Sequence, residues 1–176
     1  MRVEDEYTVA IETILGGALQ NIVVDDDKSA REAIAFLKNT NAGRATFLPL
    51  SSVRGDEIEI RDLSGKPGFI SIASRLVSYD NKYAGIFKNL LGRIAVVDNL
   101  NNASAIAKSF GYRFRIVTLD GQIINAGGSY TGGSIGKNVG ILSRLNEIKK
   151  LEAKLSDLSG GLEKLVHEKN EAEREF

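Results

Sequence analysis

The sequence contains no cysteine, one histidine and two prolines among its 176 residues. The absence of cysteine excludes disulfides and thiolate chemistry, and it fits a reducing compartment. A single histidine argues against zinc sites and histidine relays. No apolar run approaches the roughly 20 residues that span a bilayer, and the acidic, polar N-terminus MRVEDEYTV is unlike a signal peptide. We therefore expect a cytoplasmic protein without membrane partners.

The charges balance, with 23 basic against 23 acidic residues. No global field points to nucleic acid or to an anionic membrane, so any basic site must be local. The hydrophobic fraction of 43% is enough for the core of one domain or of two small ones.

The C-terminal part of the chain follows a heptad pattern. Its apolar residues alternate steps of three and four, at Ile148, Leu151, Leu155, Leu158, Leu162 and Leu165. Extended back to Ile141, this seam predicts a helix roughly 50 Å long. So narrow a seam needs a partner helix, and we interpret residues 139–176 as a coiled-coil arm, the alternative being a helix packed on its own domain. Gly160 and Gly161 cost roughly 2 kcal/mol in a helix interior and predict a weak point, a bend or a helix end.

Two stretches of the remaining sequence share one pattern, residues 21–50 and 93–121. Each has a β-branched strand, an acidic turn, an amphipathic helix, a glycine-containing turn and a second strand. Each also follows an apolar helix that ends in glycine. Four residues are candidate helix caps, namely Asp27 or Ser29 for the first helix and Asn101 or Asn102 for the second.

This repeat predicts an α+β fold with α/β-like halves. We expect two pseudo-repeated subdomains of mixed sheet plus helices, at residues 1–80 and 81–138, followed by the coiled-coil helix. A hairpin that turns at Asp120 and Gly121 is expected within the second subdomain.

After this hairpin comes GGSYTGGS, residues 127–134. Glycine is kept at such density where the backbone needs positive φ or must touch something that a Cβ would block. A phosphate loop fits poorly, because Thr131 stands in place of the first glycine and Asn138 in place of the hydroxyl residue of G-x-x-x-x-G-K-[ST]. A small nucleotide-binding protein that uses Lys137 is kept only as an alternative function.

No catalytic set and no cofactor or metal site is visible. The acidic run at residues 25–27 stands between a strand and a helix, where carboxylates favour the helix N-terminus. Two interpretations of the glycine stretch stay open: an exposed edge that pairs with another chain, and a tight turn within the chain.

Several long segments, in order, resemble the hinge domain of structural-maintenance-of-chromosomes (SMC) proteins of the bacterial condensin type. They are AIETILGGALQNIVV, GRATFLPL and NNASAIAKSFGYRFRIVTLDGQIINAGGSYTGGS. The resemblance covers the first 138 residues and the start of the arm.

The resemblance implies a non-enzymatic homodimerisation module. It would join two antiparallel coiled-coil arms of an ATPase for chromosome condensation, chromosome segregation and sister chromatid cohesion, with the ATP-binding heads outside this chain. The implied dimer interface comprises Gly127, Gly128, Ser129, Tyr130, Thr131, Gly132 and Gly133. We expect the opposing strand of the other chain to be Phe69, Ile70, Ser71, Ile72 and Ala73.

The resemblance also implies weak, non-specific DNA binding near the arm, in the bacterial nucleoid. The residues that correspond are Lys137, Arg144, Lys149 and Lys150, for which a solvated coil face is the alternative. A module whose main role is DNA binding stays a further alternative. The incoming arm, expected before Tyr7, would be another partner.

Overall fold

The computed structural model describes residues 1–59, 61–134 and 140–174, in two compact units, Met1–Gly136 and Lys137–Phe176. The helices are α1 (Asp5–Leu15), α2 (Asp27–Thr40), α3 (Ala84–Leu91), α4 (Leu100–Ser109) and α5 (Ile141–Arg174). The strands are β1 (Arg2–Val3), β2 (Ile22–Val24), β3 (Phe47–Pro49), β4 (Phe69–Ile72), β5 (Val77–Ser78), β6 (Ile94–Val97), β7 (Arg115–Thr118), β8 (Ile123–Ile124) and β9 (Tyr130–Thr131).

The predicted internal repeat is confirmed. β2, α2 and β3 form one βαβ unit and β6, α4 and β7 form the other, and in both units the two strands pair in parallel. The helices begin earlier than expected. Asp26 caps α2 by accepting from the Ser29 amide at 2.8 Å, and Asn99 caps α4 by accepting from the Asn102 amide at 3.0 Å. The four caps predicted from the sequence are therefore wrong, because Asp27 and Leu100 already lie inside the helices.

The second βαβ unit is the centre of a five-stranded mixed sheet with the order β4-β6-β7-β8-β9. Strand β6 is fully buried, and α4 packs on one face of the sheet. The core between them contains Ala95, Val97, Ala103, Ile106, Ala107, Ile116 and Ile124. The predicted hairpin at Asp120 and Gly121 joins β7 to β8. Strands β4 and β9 are the two edges of this sheet.

The first βαβ unit is less complete. Its sheet consists of β2 and β3 alone, and neither strand has a second neighbour among the described residues. A further two-stranded sheet joins β1 to β5.

Two hydrogen bonds hold Arg54 and Ile58, in the segment that follows β3, against α3 and its C-cap residue Gly92. The Asn89 side-chain amide donates to the Arg54 carbonyl at 2.9 Å, and the Ile58 amide donates to the Gly92 carbonyl at 2.9 Å. Glu57 accepts from the Ser74 hydroxyl at 2.6 Å and from the Arg75 guanidinium at 2.9 Å. Burial alone would raise the pKa of Glu57, but these hydrogen bonds outweigh it and hold the pKa below its ordinary value.

The arm helix is confirmed as one 34-residue element, α5. It continues through Gly160 and Gly161, where the sequence allowed an end or a bend. The six predicted seam residues are exposed, with between 49% and 67% of their surface accessible.

Candidate dimer interface

The first glycine pair of the GGSYTGGS stretch forms a tight turn within the chain. Gly127 and Gly128 have φ angles of 88° and 94°, in the region that favours glycine. The turn is closed by the Asn125 amide donating to the Ser129 carbonyl at 2.8 Å and by the Gly128 amide donating to the Asn125 carbonyl at 3.0 Å. A Cβ on Gly127 would meet no described atom within 4 Å. Backbone conformation, rather than lack of space in this chain, explains these two glycines.

The second glycine pair continues an edge strand. β9 pairs with β8 through Ile124 opposite Tyr130 and Ile123 opposite Thr131. The main chain of an antiparallel edge strand points alternately toward and away from its neighbour. The Ser129 carbonyl and the Gly133 amide point toward β8. By alternation, the amide and carbonyl of Tyr130 and of Gly132 point away from β8. Both residues are exposed.

A side-chain amide holds the end of β9 extended. Gln122 accepts from the Gly133 amide at 2.9 Å and donates to the Gly133 carbonyl at 3.1 Å. A Cβ on Gly132 would collide with this Gln122 amide. Gln122 therefore satisfies the inner side of the strand and leaves the outer side open to a second molecule.

Tyr130 lies on the face of the sheet that carries α4. Its hydroxyl is 2.9 Å from the Ser104 hydroxyl of α4, and 51% of the residue is exposed. Burial raises the pKa of Tyr112, and the charge and hydrogen bond of Tyr130 raise it further. Tyr130 therefore presents an exposed aromatic side chain beside the glycine edge, whereas Tyr112 packs against the core.

The predicted opposing strand, residues 69–73, contains β4, the other edge of the same sheet. β4 pairs with β6 through Ser71 opposite Val96 and Ile72 opposite Ala95, with a bulge after Phe69. Ile72 and Ala73 are fully buried in their own chain, and Phe69 packs on the core beneath α4. Ile70 lies within the bulge. Only the main chain of this edge and its half-buried side chains are available to a partner.

Strand β3 also has an open edge, in the two-stranded sheet that it forms with β2. The Ile22 amide donates to the Thr46 carbonyl at 2.9 Å and the Leu50 amide donates to the Val24 carbonyl at 2.8 Å. Because main-chain groups alternate in direction along a strand, the amide and carbonyl of Phe47 and the carbonyl of Pro49 point away from β2. Pro49 has no amide hydrogen that could be left unpaired. No pattern in the sequence had indicated this edge.

Large apolar side chains of β2 and α2 are exposed among the described residues. Ile22 is 45% exposed, Val23 41%, Ile34 53% and Phe36 64%. Ile22 and Val23 point to opposite faces of the strand, and Ile34 and Phe36 are two positions apart on the helix, so these side chains do not form one continuous patch.

The matched family decides the identity. A model for the SMC proteins Flexible Hinge Domain matches residues 1–107. The chain belongs to the SMC hinge family. The hinge is similar to the chromosome partition protein Smc of Bacillus subtilis (strain 168), with 42% identity over 159 residues, 88% of this chain and 13% of that protein. It is also similar to Smc of Methanococcus voltae, with 38% identity over 178 residues, 96% of this chain and 14% of that protein. The hinge thus spans about an eighth of the length of these curated relatives.

Solved SMC hinges have the same fold. The crystal structure of an asymmetric dimer of the Geobacillus stearothermophilus SMC hinge domain has a TM-score of 0.79 at 44% identity, and the match covers 91% of this chain and 65% of that one. The Pyrococcus furiosus SMC hinge domain has a TM-score of 0.64 at 28% identity, and the match covers 80% of this chain and 75% of that one. Family and fold predictions are both confirmed. Because the matches are to hinges and not to an ATPase head, this chain is the non-catalytic hinge.

The predicted DNA-binding residues lie on or before α5. Arg144, Lys149 and Lys150 are exposed. Arg144 occupies a seam position of the heptad, whereas Lys149 and Lys150 lie outside the seam. Lys137, which also carried the nucleotide-binding alternative, lies outside the described residues. Their role in DNA binding stays a prediction.

Within the described ranges, no group of three or more potential ligands could hold a metal ion. The helices in those ranges include none that is long and apolar enough to cross a membrane.

Proposed function

We propose that this hinge is a homodimerisation module that joins the coiled-coil arms of a chromosome partition protein. The observation that carries the proposal is the open outer edge of β9 at Tyr130 and Gly132. The dimer named for the Geobacillus stearothermophilus hinge supports pairing between two copies. In the whole protein, the arms would lead to ATPase heads, and the module would serve chromosome condensation and segregation.

Among the open strand edges of the described residues, two are candidates to receive β9 of the partner chain. The first is β4, the strand selected from the sequence. The second is the free edge of β3, which we favour. Parallel sheets are normally covered on both faces, and a sheet of two strands is marginal by itself. The internal repeat also makes β3 the equivalent of β7, whose outer neighbour is an antiparallel strand.

The faces of the two sheets agree with this pairing. Val23 and Leu48 line an apolar groove of about 250 Å³ on the side of α1 and α3. Because side chains alternate along a strand, Phe47 lies on the opposite face, the one that α2 covers. Tyr130 lies on the α4 face of its own sheet. Placing Tyr130 or Gly132 opposite Phe47 would put α2 of one chain and α4 of its partner on the same side of a joined sheet.

A two-fold dimer built in this way contains each contact twice. Each chain would supply one β9 and receive one, so the ring closes with both β9 edges and both β3 edges paired. The half-buried Phe47 and the exposed Tyr130 of the partner chain would contribute apolar area beside the paired main chains.

Cysteine cross-linking separates the two recipients, because the natural chain has no cysteine. Thr131→Cys would be combined with Thr46→Cys, beside β3, or with Ser71→Cys, in β4, and treated with a short bis-maleimide. In one chain, Ser71 and Thr131 stand at opposite edges of a five-stranded sheet, about 19 Å apart, so a short linker reports the partner chain.

We expect covalent dimers from the Thr46 and Thr131 pair and few from the Ser71 and Thr131 pair. More covalent dimer from the Ser71 and Thr131 pair than from the Thr46 and Thr131 pair would mean that β9 pairs with β4 of the partner chain. If neither pair exceeds the single-cysteine controls, pairing through β9 is wrong.

DNA binding is a separate part of the proposal. It is supported by the exposed Lys149 and Lys150 on α5 and by the resemblance of the arm junction to other SMC hinges. A few phosphate contacts give weak affinity that falls steeply with salt.

A further inference from the structure

Residues 156–161 of α5, with the sequence Ser-Asp-Leu-Ser-Gly-Gly, form what we term the joint segment. Leu158 keeps the heptad register between Leu155 and Leu162. The other five residues are serine, aspartate and glycine, which favour a helix poorly. The turns on either side are rich in leucine, lysine, glutamate and alanine. The joint segment is therefore a minimum of helix propensity within a regular seam.

The two glycines have no role in the local geometry. The helix runs unbroken from Ile141 to Arg174, so neither glycine is a cap. Neither has a positive φ, and a Cβ on Gly160 or Gly161 would meet no described atom within 4 Å. Both stand outside the seam, so a partner helix on the seam does not require small residues there. What glycine changes at these positions is the stability of the helix itself.

We propose that the joint segment is a built-in flexure point of the arm. Residues 141–155 form a stiff stem about 22 Å long, and residues 162–174 bend relative to that stem. Opening the joint segment breaks few contacts, because its side chains are exposed. Leu158 lets it re-form in register with the seam.

Hydrogen exchange followed along α5 tests the local stability. Opening of residues 156–161 frees the amides up to four positions further on, so amides 160–165 should exchange faster than amides 148–154. The double variant Gly160→Ala with Gly161→Ala should slow that exchange by about 30-fold, which corresponds to about 2 kcal/mol at about 1.4 kcal/mol per factor of ten.

The matched control is Glu163→Ala with Lys164→Ala, which makes two alanines at outward positions outside the joint segment. It should change the exchange by less than about threefold, because glutamate and lysine are already good helix formers. Uniform exchange along α5, whether fast or slow, would overturn the proposal. An alanine effect no larger than that of the control would overturn it as well.

Spin labels measure the bending directly. Ala153→Cys and His167→Cys are 14 residues apart, about 21 Å along a straight helix, and they bracket the joint segment. The distance distribution should be broad in the natural background and should narrow in the double alanine variant. Equal widths in the two backgrounds would contradict flexure at this segment.

Discussion

Replacing Gly132 by proline tests the main-chain edge of β9. In the free chain the Gly132 amide points outward and has no described partner, so proline removes no hydrogen bond there. Because a Cβ at this position meets the Gln122 side chain, the comparison is made in a Gln122→Ala background. Gly132→Ala in the same background adds the Cβ but keeps the amide.

The magnitude follows from the two-fold relation of the proposed dimer. At each interface, proline leaves one carbonyl of the partner without its donor, which costs about 1–3 kcal/mol. The interface occurs twice, so the dimer loses about 2 kcal/mol at the least. The dissociation constant should then rise about 30-fold or more. The stability of the monomer should change by about 1 kcal/mol or less.

The dissociation constant is measured by sedimentation equilibrium and the monomer stability by thermal melting at low concentration. A proline variant with a dissociation constant within about threefold of its background would refute pairing through this edge. So would an alanine variant that weakens the dimer as much as proline does, because the amide would then not be the group that matters.

Three further predictions concern the fold and the arm. Gly127→Ala should destabilise the hinge by about 1–2 kcal/mol in thermal melts, because an alanine at a φ of 88° is strained. Glu57→Gln should flatten the loss of stability in acid, measured by denaturation at several pH values. Since the pKa of Glu57 is lowered by folding, its contribution is complete above the unfolded value and disappears as the pH falls through the folded one. Lys149→Glu with Lys150→Glu should weaken duplex binding and reduce the salt dependence, by about 0.9 in log–log slope for each phosphate that the variant no longer binds.

Each of these has a contradictory outcome. An unchanged melting temperature for Gly127→Ala would mean that the turn adopts another conformation. An acid profile of Glu57→Gln that matches the natural chain would mean that Glu57 does not contribute to the acid dependence of stability. If the two lysine substitutions leave the salt dependence of DNA affinity unchanged, DNA binds elsewhere on the protein.

Local patterns predicted the repeated βαβ units, the hairpin at Asp120 and Gly121, and α5. Each of these depends on side-chain periodicity or on a turn pair within a few residues. The caps were missed because a cap depends on where the first helical turn begins. Asn99 precedes Leu100, an exposed apolar residue that gives no sign of a helix start.

Non-local pairing could not be derived from the sequence. The two glycine pairs look alike, yet Gly127 and Gly128 form a turn while Gly132 follows a strand. The difference arises from Gln122, whose amide binds Gly133 eleven positions away. No local pattern predicts that hydrogen bond.

The incomplete sheet of β2 and β3 was missed for the same reason. A β-branched run such as Ile22–Val24 predicts a strand but does not say how many neighbours the strand has. That β4 joins the sheet of the second βαβ unit is likewise a long-range pairing, since it joins residues 69–72 to residues 95–97. The free edge of β3 is also a consequence of long-range pairing, because it depends on which described strands pair with one another.

The molar mass of a chain with a broken seam tests the central claim most directly. Leu155→Glu with Leu162→Glu places charges on the exposed seam of α5 and prevents dimers that form through the arm. Light scattering of this variant should give twice the 19.1 kDa of one chain, because the proposed dimer forms through β9. A mass of 19.1 kDa at every concentration would contradict dimerisation by the hinge.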